Sequence, residues 1–575
     1  MRWQTTCTTV ALVAACAMSW MGSAGSAHAD PVPSAPSIGQ GELVRRSSPS
    51  SESASETADR ARHGLQGQLS GSALGSPVAL PIPDSWTGAP ECEGLKTLVV
   101  RLLWSTENGQ DTEEPWTLRR PSPSGCLPAA DWERLARDTL SAARGEGWIV
   151  TRLTMQPLDP QGQAVMILRL LSLKAIHWPD GGTQGSRYGW AVPLGRPLRL
   201  FDLDDLIERV GRLRSNDIHV VVNPDAELHA ATVVVRNESR RTLTGDSSVL
   251  VRRALWSVSG GVAAENPLDM GDRWSLSLQR SGVPGGSVSS LNLGAEWLVF
   301  GGVAKVSTSR SLTVVPGDAS GSIPLSTTQN EWQVSFSRTL YRDAHTVWSW
   351  SPQWDTKRIA ADFEGARVQS LSPRVSIIEI GTTLQRLWDS RAVLVANSRL
   401  RHGFQCCGAT IDNRVGALDS SAAHAQFNSV QASAVLSQPW IWRERQWQWL
   451  SVAQAFHSSR GLYPTEDFSL ASPSAVDGVF KAQALVDTGW SLRTGTGTGW
   501  AWPADGWHLQ TTASLAYAKG KRYFDGVHRH LFGISLDGAL EYRTARISLM
   551  AFLPGHGQDL ESEHPSLQLG MSIVW

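Results

Sequence analysis

The residues most able to do chemistry are spaced in ways that exclude the commoner catalytic sites. Thr494 to Gly499 reads TGTGTG. A dinucleotide-binding turn sets such glycines between a strand and a helix, with an acidic residue further on, and that context is missing here. Gly520-Lys521 comes nearest to a phosphate-binding loop, but Leu515 stands where its first glycine belongs and Arg522 where Ser or Thr belongs. The 14 His residues show no HExxH or comparable ligand spacing. Cys406 and Cys407 are adjacent, which is the wrong spacing for a metal cluster, and nearby His402 does not complete one. They read as an exposed loop pair. Ser, His and Asp are common in the loops, but no spacing singles out a hydrolase triad. The expectation is a non-enzyme with no catalytic residues, no cofactor and no metal.

The elements that carry these residues point to a barrel. The chain has 575 residues and a formal net charge of −1, so nothing in its charge suggests a nucleic-acid partner. Mean hydropathy is −0.18, which suits a β-barrel, because half of each strand faces water or a lumen. Trp is abundant at 26, against 6 Tyr and 12 Phe. Aromatic girdles at two membrane interfaces explain such an excess, and a carbohydrate-binding surface is the competing explanation. In the last nine residues Leu567, Leu569, Met571, Ile573 and Trp575 alternate with Gln568, Gly570, Ser572 and Val574. That period of two is a strand with one apolar face, about as long as a barrel strand that crosses a bilayer. From about residue 240 similar alternation recurs, as in Trp332 to Phe336, Gln446 to Trp449 and Trp507 to Leu509. The remaining length holds about sixteen strands.

The amino terminus reads as an export signal over residues 1–29. Arg2 is its positive end, Thr8 to Met21 its apolar stretch, and Ala27-His28-Ala29 its cleavage site. A second reading makes Cys16, after Val13-Ala14-Ala15, a lipid-attachment site. Residues 30–90 are rich in Ser, Pro, Gly and Ala and read as a linker, with one short helix around Glu56 to Leu69. Residues 91–173 and 174–237 read as the same β–α–β–β unit twice, ahead of a barrel at 238–575. The first helix has Asp131 as its cap, with Trp132, Leu135, Thr139, Leu140 and Ala143 on one face. Asp202 caps the second, and Asn223-Pro224-Asp225 is a turn. Cys92 and Cys126 flank part of the first unit. In an oxidising compartment they can pair, stabilising by roughly 3–4 kcal/mol in the chain-entropy model.

This order resembles the outer-membrane transporters of two-partner secretion, the haemolysin-activator and filamentous-haemagglutinin transporter family within the barrel-assembly insertase superfamily. Several segments carry the resemblance. Gly147 to Arg152 is similar to the family's GYVTTR strand, and Leu203 to Arg209 to its second POTRA helix. Glu265 to Arg273 is similar to its NPLGxGD hairpin, and Asp487 to Arg493 to its DRGWYxRN strand. The resemblance implies two periplasmic POTRA domains and a transmembrane β-barrel of about sixteen antiparallel strands. It also implies an outer-membrane location among the membrane's lipid. The partner would be a large exoprotein with an amino-terminal secretion domain, exported through the lumen. A member that binds its partner without secreting it, or a passive porin, are the alternatives.

The family's sixth extracellular loop folds into the lumen and carries FSIGGRYTVRGF. Phe468 to Val479 reads FSLASPSAVDGV at the same length. The resemblance makes Phe468, Val476, Asp477, Gly478 and Val479 the lumen-loop signature. The family arginine is replaced by Asp477, and its glycines by Ala471 and Ser472. In the superfamily that arginine pairs with an aspartate of an FxDxG motif on the barrel wall. The best match here is Ala516 to Gly520, with Ala518 at the aspartate position and Gly520 as its glycine. Both partners are replaced together, and Asp477 is left to seek Lys519, Lys521 or Arg522.

Overall fold

The computed structural model describes residues 97–574 apart from 106–109, 122–128, 157–162, 180–186, 188, 191, 226–228, 240, 253–254, 284–285, 316–324, 413–422, 444, 471–475, 477–484, 503–506, 524–525, 543–544 and 555–565. The export signal, the Cys16 site, the linker and its helix, Cys92, Cys126 and Trp575 lie outside the described residues.

The first unit holds β1 (Thr97–Ser105), β2 (Asp111–Pro121), α1 (Ala129–Gly145), β3 (Val150–Gln156) and β4 (Gln163–Leu170), in the sheet order β2-β1-β4-β3. Strand β2 is an addition to the expected β–α–β–β order. Its sequence, DTEEPWTLRRP, is too charged and too poorly alternating to announce a strand, and edge strands carry such charges and prolines. Helix α1 starts at Ala129, so Asp131 sits in its first turn and is not the cap. Leu135, Leu140 and Ala143 of α1 pack on Val100, Leu102, Met166 and Leu168.

The second unit holds β5 (Ser172–His177), α2 (Leu200–Gly211), β6 (Asn216–Asp225) and β7 (Ala230–Ser239), in the order β5-β7-β6. Its first strand begins two residues before the expected boundary at 174. The cap of α2 is Arg199. Asp202 stands three residues on, where its carboxylate accepts the Arg199 N–H at 3.1 Å. Burial raises the Asp202 pKa, while that hydrogen bond pulls it back. Asn223-Pro224-Asp225 is strand, not turn: Asp225 pairs with Ala230, and the chain reverses after it. Pro224 is tolerated because β6 is an edge.

The barrel follows as β8 (Thr242–Arg252), β9 (Leu255–Glu265), β10 (Arg273–Val283), β11 (Gly286–Val299), β12 (Gly302–Val315), β13 (Leu325–Arg342) and β14 (Thr346–Phe363). The two-residue β15 (Ala366–Arg367) only prolongs the turn after β14. Then come β16 (Arg374–Leu387), β17 (Val393–Gly403), β18 (Asn428–Trp442) and β19 (Arg445–Ser458). The pair β20 (Phe468–Ser469) and β21 (Leu485–Val486) forms a small sheet of its own. The series ends with β22 (Thr488–Trp502), β23 (Trp507–Lys521), β24 (His528–Tyr542), β25 (Ala545–Pro554) and β26 (Ser566–Val574). Strand β26 pairs with β8, Met571 opposite Val249, and closes a ring of sixteen long antiparallel strands. Closure pairs every strand on both sides, as a bilayer demands of any β structure that crosses it.

Alternation sorts the side chains. On β26, Leu567, Leu569 and Met571 face out, each about half exposed. On β14, Trp348 faces out, while Asp355 and Lys357, of the opposite parity, are buried inside. Six exposed tryptophans lie toward one end, Trp348, Trp388, Trp440, Trp442, Trp449 and Trp507, while Trp256 and Trp490, also exposed, lie toward the other. Trp440 and Trp442 lie 5.8 and 5.6 Å from Trp447, and Trp507 stacks on Tyr542 at 4.5 Å. This is one aromatic girdle.

The second unit docks at that same end. Glu265 accepts the Ser215 N–H at 2.8 Å, and Asn266 donates to Ser215 and Asn216 at 2.9 and 2.8 Å. Arg212 binds Glu296 and donates to the Gly271 carbonyl at 2.7 Å, and Arg342 binds Asp205 and Glu208. Asp272 shapes the hairpin from within, accepting from Leu268 and Met270 N–H and from the Trp274 indole. The Glu265–Arg273 segment therefore joins β9 to β10 and holds the unit beneath them.

The two units meet at Gly147, whose carbonyl accepts the Leu200 N–H at 2.7 Å. Its φ is +84°, and a Cβ there would lie 2.4 Å from the Phe201 ring. Gly147→Ala is expected to destabilise this junction by roughly 1–3 kcal/mol through left-handed strain and overpacking. Limited proteolysis should release the amino-terminal units at a lower temperature, with the barrel's own unfolding unchanged.

Candidate lumen-loop site

The segment between β19 and β22, residues 459–487, is anchored at both ends by Asp487. This buried carboxylate accepts the Leu462 N–H at 2.7 Å and the Tyr523 N–H at 2.6 Å. Its backbone bonds Ser458 and Lys521, so the loop's two stems and the β23 end meet at one residue. Between the stems, β20 pairs with β21.

An apolar cluster seats the loop on the wall. Phe468, Leu470, Val476 and Val486 pack among Val375, Ile377, Phe456, Ala516, Ala518, Leu531 and Phe552. Phe468 stacks on Phe456 at 5.8 Å. Ala518 is fully buried beneath the loop, and a Cβ on Gly520 would come within 2.7 Å of Val486. The structure thus brings together Phe468, Val476, Ala518 and Gly520 of the expected set. Asp477, Gly478 and Val479 lie outside the described residues. Lys519 alternates with buried Ala518 and Gly520 and is exposed, so it faces away from the lumen. Arg522 lies 3.6 Å from Asp467.

The charged contact made by the loop is one the sequence reading did not single out. Glu466 is buried and accepts from Lys357 Nζ of β14 at 2.9 Å and from Arg401 of β17. Behind these cations stand Glu331, 3.8 Å from Lys357, and Glu379, 3.4 Å from Arg401 and 3.6 Å from Arg399. Asp355, buried on the same face two residues from Lys357, adds a fourth carboxylate to the three cations. A signal for them exists: Asp355 and Lys357, then Arg399 and Arg401, are charges two apart on strands, and so share the lumen face. What the sequence lacks is any sign that Glu466 reaches them across 109 and 65 residues.

Asp467 adds a second constraint. It sits in the loop at the outer mouth, beside Asp487 and Arg522, with its side chain fully buried. Burial, and then the Asp487 charge, push its pKa up to about 8, against the Arg522 pull. Among the described residues no group of three or more His, Cys, Asp or Glu is arranged to hold a metal. Cys406 is half-buried and Cys407 exposed.

Truncating one member of a buried ion pair leaves the other charge uncompensated, at about 3–5 kcal/mol. Glu466→Gln is therefore expected to unseat the loop. Proteolysis within 459–487 should rise, and the loss should shrink when Lys357→Met is combined with it. An unchanged cleavage rate would refute the tether. The Asp467 shift sets a pH window. Its pKa in the seated loop lies above the ordinary value of about 3.9, so seating weakens as pH rises from about 4 to about 8 and is level above that. Asp467→Asn should flatten this slope and hold the loop more firmly at neutral pH.

The sequence profile of the haemolysin secretion/activation proteins ShlB/FhaC/HecB matches residues 242–540. The hemolysin transporter protein ShlB of Serratia marcescens is 24% identical over 385 residues, which is 64% of this chain and 67% of that one. The hemolysin transporter protein HpmB of Proteus mirabilis is 24% identical over 203 residues, so that match spans only 35% of that relative and 34% of this chain. Among solved structures, CdiB from Escherichia coli superposes with a TM-score of 0.68 at 17% identity, covering 92% of this chain and 99% of that one. At that identity the likeness speaks for the fold.

Proposed function

The chain belongs to the haemolysin secretion/activation family, as an outer-membrane two-partner-secretion transporter, and from that premise we propose that it exports one large exoprotein, unfolded, through its own lumen. The observation that carries this reading is the seated loop. A polar lumen holds a segment fixed by one buried ion cluster and one apolar patch, both on the wall. Such contacts can be exchanged for those of a passing chain without breaking a barrel hydrogen bond.

Capture begins at the α/β units. Among the described residues β6 pairs only with β7, so its outer edge presents unpaired backbone groups. The outer edge of β5, by contrast, is covered by residues 195–198. Strand addition to β6 gives affinity through main-chain hydrogen bonds with little demand on side chains, which suits the secretion domain of an exoprotein. The docking of α2 and the β6 start on Arg342, Glu265 and Asn266 then delivers the captured chain to the barrel rim. The exoprotein folds outside. No nucleotide enters this scheme.

Phe468, Val476, Asp477, Gly478 and Val479 act in this proposal as the part of the loop that moves, with Ala518 and Gly520 as its seat. The replacement of the family arginine by Asp477 favours one other reading, a member that binds its partner without secreting it. Coproduction with an exoprotein that carries a two-partner-secretion domain separates the two. Transport predicts exoprotein in the medium, and its loss when the α/β units are deleted. Retention in the periplasm by the intact protein would sink the proposal. Rapid uptake of small solutes, with no exoprotein outside, would identify a porin.

A further inference from the structure

A cleft of about 350 Å³ opens on the outer face of β13, β14 and β16, lined by Asn330, Trp332, Arg358, Arg374, Ser376 and Cys407. Lys357 and Val375, which belong to the lumen site, also line it, so the cleft backs onto that site across the wall. Arg358 and Arg374 share the parity of Trp348 and Ile378, which face the lipid. They are also direct register partners across β14 and β16. Like charges directly opposite on one sheet face repel. Among the described residues no carboxylate pairs with either guanidinium. The Arg374 backbone is fixed on its other side, its N–H donating to Thr410 Oγ1 at 2.9 Å and its carbonyl accepting the Thr410 N–H at 2.8 Å.

The height of this pair in the membrane follows from the strand. Arg358 is ten residues along β14 from Trp348, in the girdle beside the α/β units. At about 3.4 Å per residue and about 40° of tilt, that is roughly 26 Å along the membrane normal, which matches an apolar band of about 25 Å. The pair therefore stands at the headgroup level of the opposite, outer leaflet. Below it on the same face are Trp332, Ile378 and Ile380, each about half exposed.

We propose that Arg358 and Arg374 bind the phosphate of a phosphorylated outer-leaflet lipid, whose acyl chains lie on Trp332, Ile378 and Ile380. Two guanidiniums facing each other supply a bidentate cradle for one phosphate and lose their mutual repulsion when it arrives. The apolar residues directly beneath select an anion that carries hydrocarbon over one free in water. The inference rests on the barrel lying in the outer membrane. It does not rest on secretion, so either can fail alone.

The test uses the full-length protein in detergent micelles, dosed with bisphosphorylated lipid A or with its phosphate-free form, and reads retained lipid by native mass spectrometry. The wild type is expected to retain the phosphorylated lipid. The Arg358→Ala/Arg374→Ala double variant should bind it at least about tenfold more weakly, since charge-assisted bidentate contacts are lost. Heat-modifiable gel migration confirms that the variant barrel is closed. The Arg358→Lys/Arg374→Lys variant keeps the charge and should lie between the two, which gives a comparison in a conservatively altered barrel. Equal retention by the Ala variant overturns the proposal. So does equal retention of phosphate-free lipid, or displacement of bound lipid by inorganic phosphate.

Discussion

The arrangement of the lumen turns on Glu466. A carboxylate withdrawn from water into a barrel is costly unless its charge is matched and its oxygens are occupied. Here both oxygens are used, one by Lys357 and one by Arg401. The cations are in turn backed by Glu331 and Glu379, so no member of the cluster is left alone. The cluster draws together β13, β14, β16 and β17 on one side. The apolar patch draws in β19, β23, β24 and β25 on the other. A loop of modest length thereby touches most of the wall, and its seating depends on contacts of two different kinds.

The barrel makes that seating reversible in principle. Every strand is paired on both sides, so the wall's hydrogen bonds do not depend on the loop. The loop's own ties are a few hydrogen bonds at Asp487, the ion cluster and the apolar patch. The apolar patch combines large partners, Ile377, Phe456, Leu531 and Phe552, with small ones, Ala516, Ala518 and Gly520, which permit close approach.

Much of the architecture was legible in the chain because a closed barrel writes its pattern in period two. Leu567, Leu569 and Met571 face out as their alternation requires, and part of the Trp excess forms a girdle around Trp440, Trp442 and Trp507. The errors fall where local chemistry yields to tertiary context. Asp202 has the residue type of a cap, yet it serves Arg199 from inside the helix. Asn223-Pro224-Asp225 has the composition of a turn, but an edge strand absorbs it. Strand β2 lacks a pattern because an edge need not bury a face. The lumen site was half legible. The motif residues Phe468 and Val476 were found by likeness, whereas Glu466, Lys357 and Arg401 are far apart in sequence, and only the closed ring brings them together.

The altered motif and the ion cluster bear on each other. In the superfamily the loop carries the cation and the wall the carboxylate. The best match to the wall carboxylate's position, Ala518, is buried in an apolar cluster, where a charge would have no partner within the patch. What remains is an attachment of opposite polarity, a carboxylate on the loop and cations on the wall, placed on β14 and β17 instead of β23. The two attachments are equivalent in one physical respect: each fixes a lumenal segment by a charge pair shielded from water, where such pairs are strongest and least screened by salt. They differ in where the loop pivots. A tie at 466 lies close to the β19 stem, while near the β22 stem Val486 sits in the apolar patch and Arg529 donates to the Leu485 carbonyl at 2.8 Å.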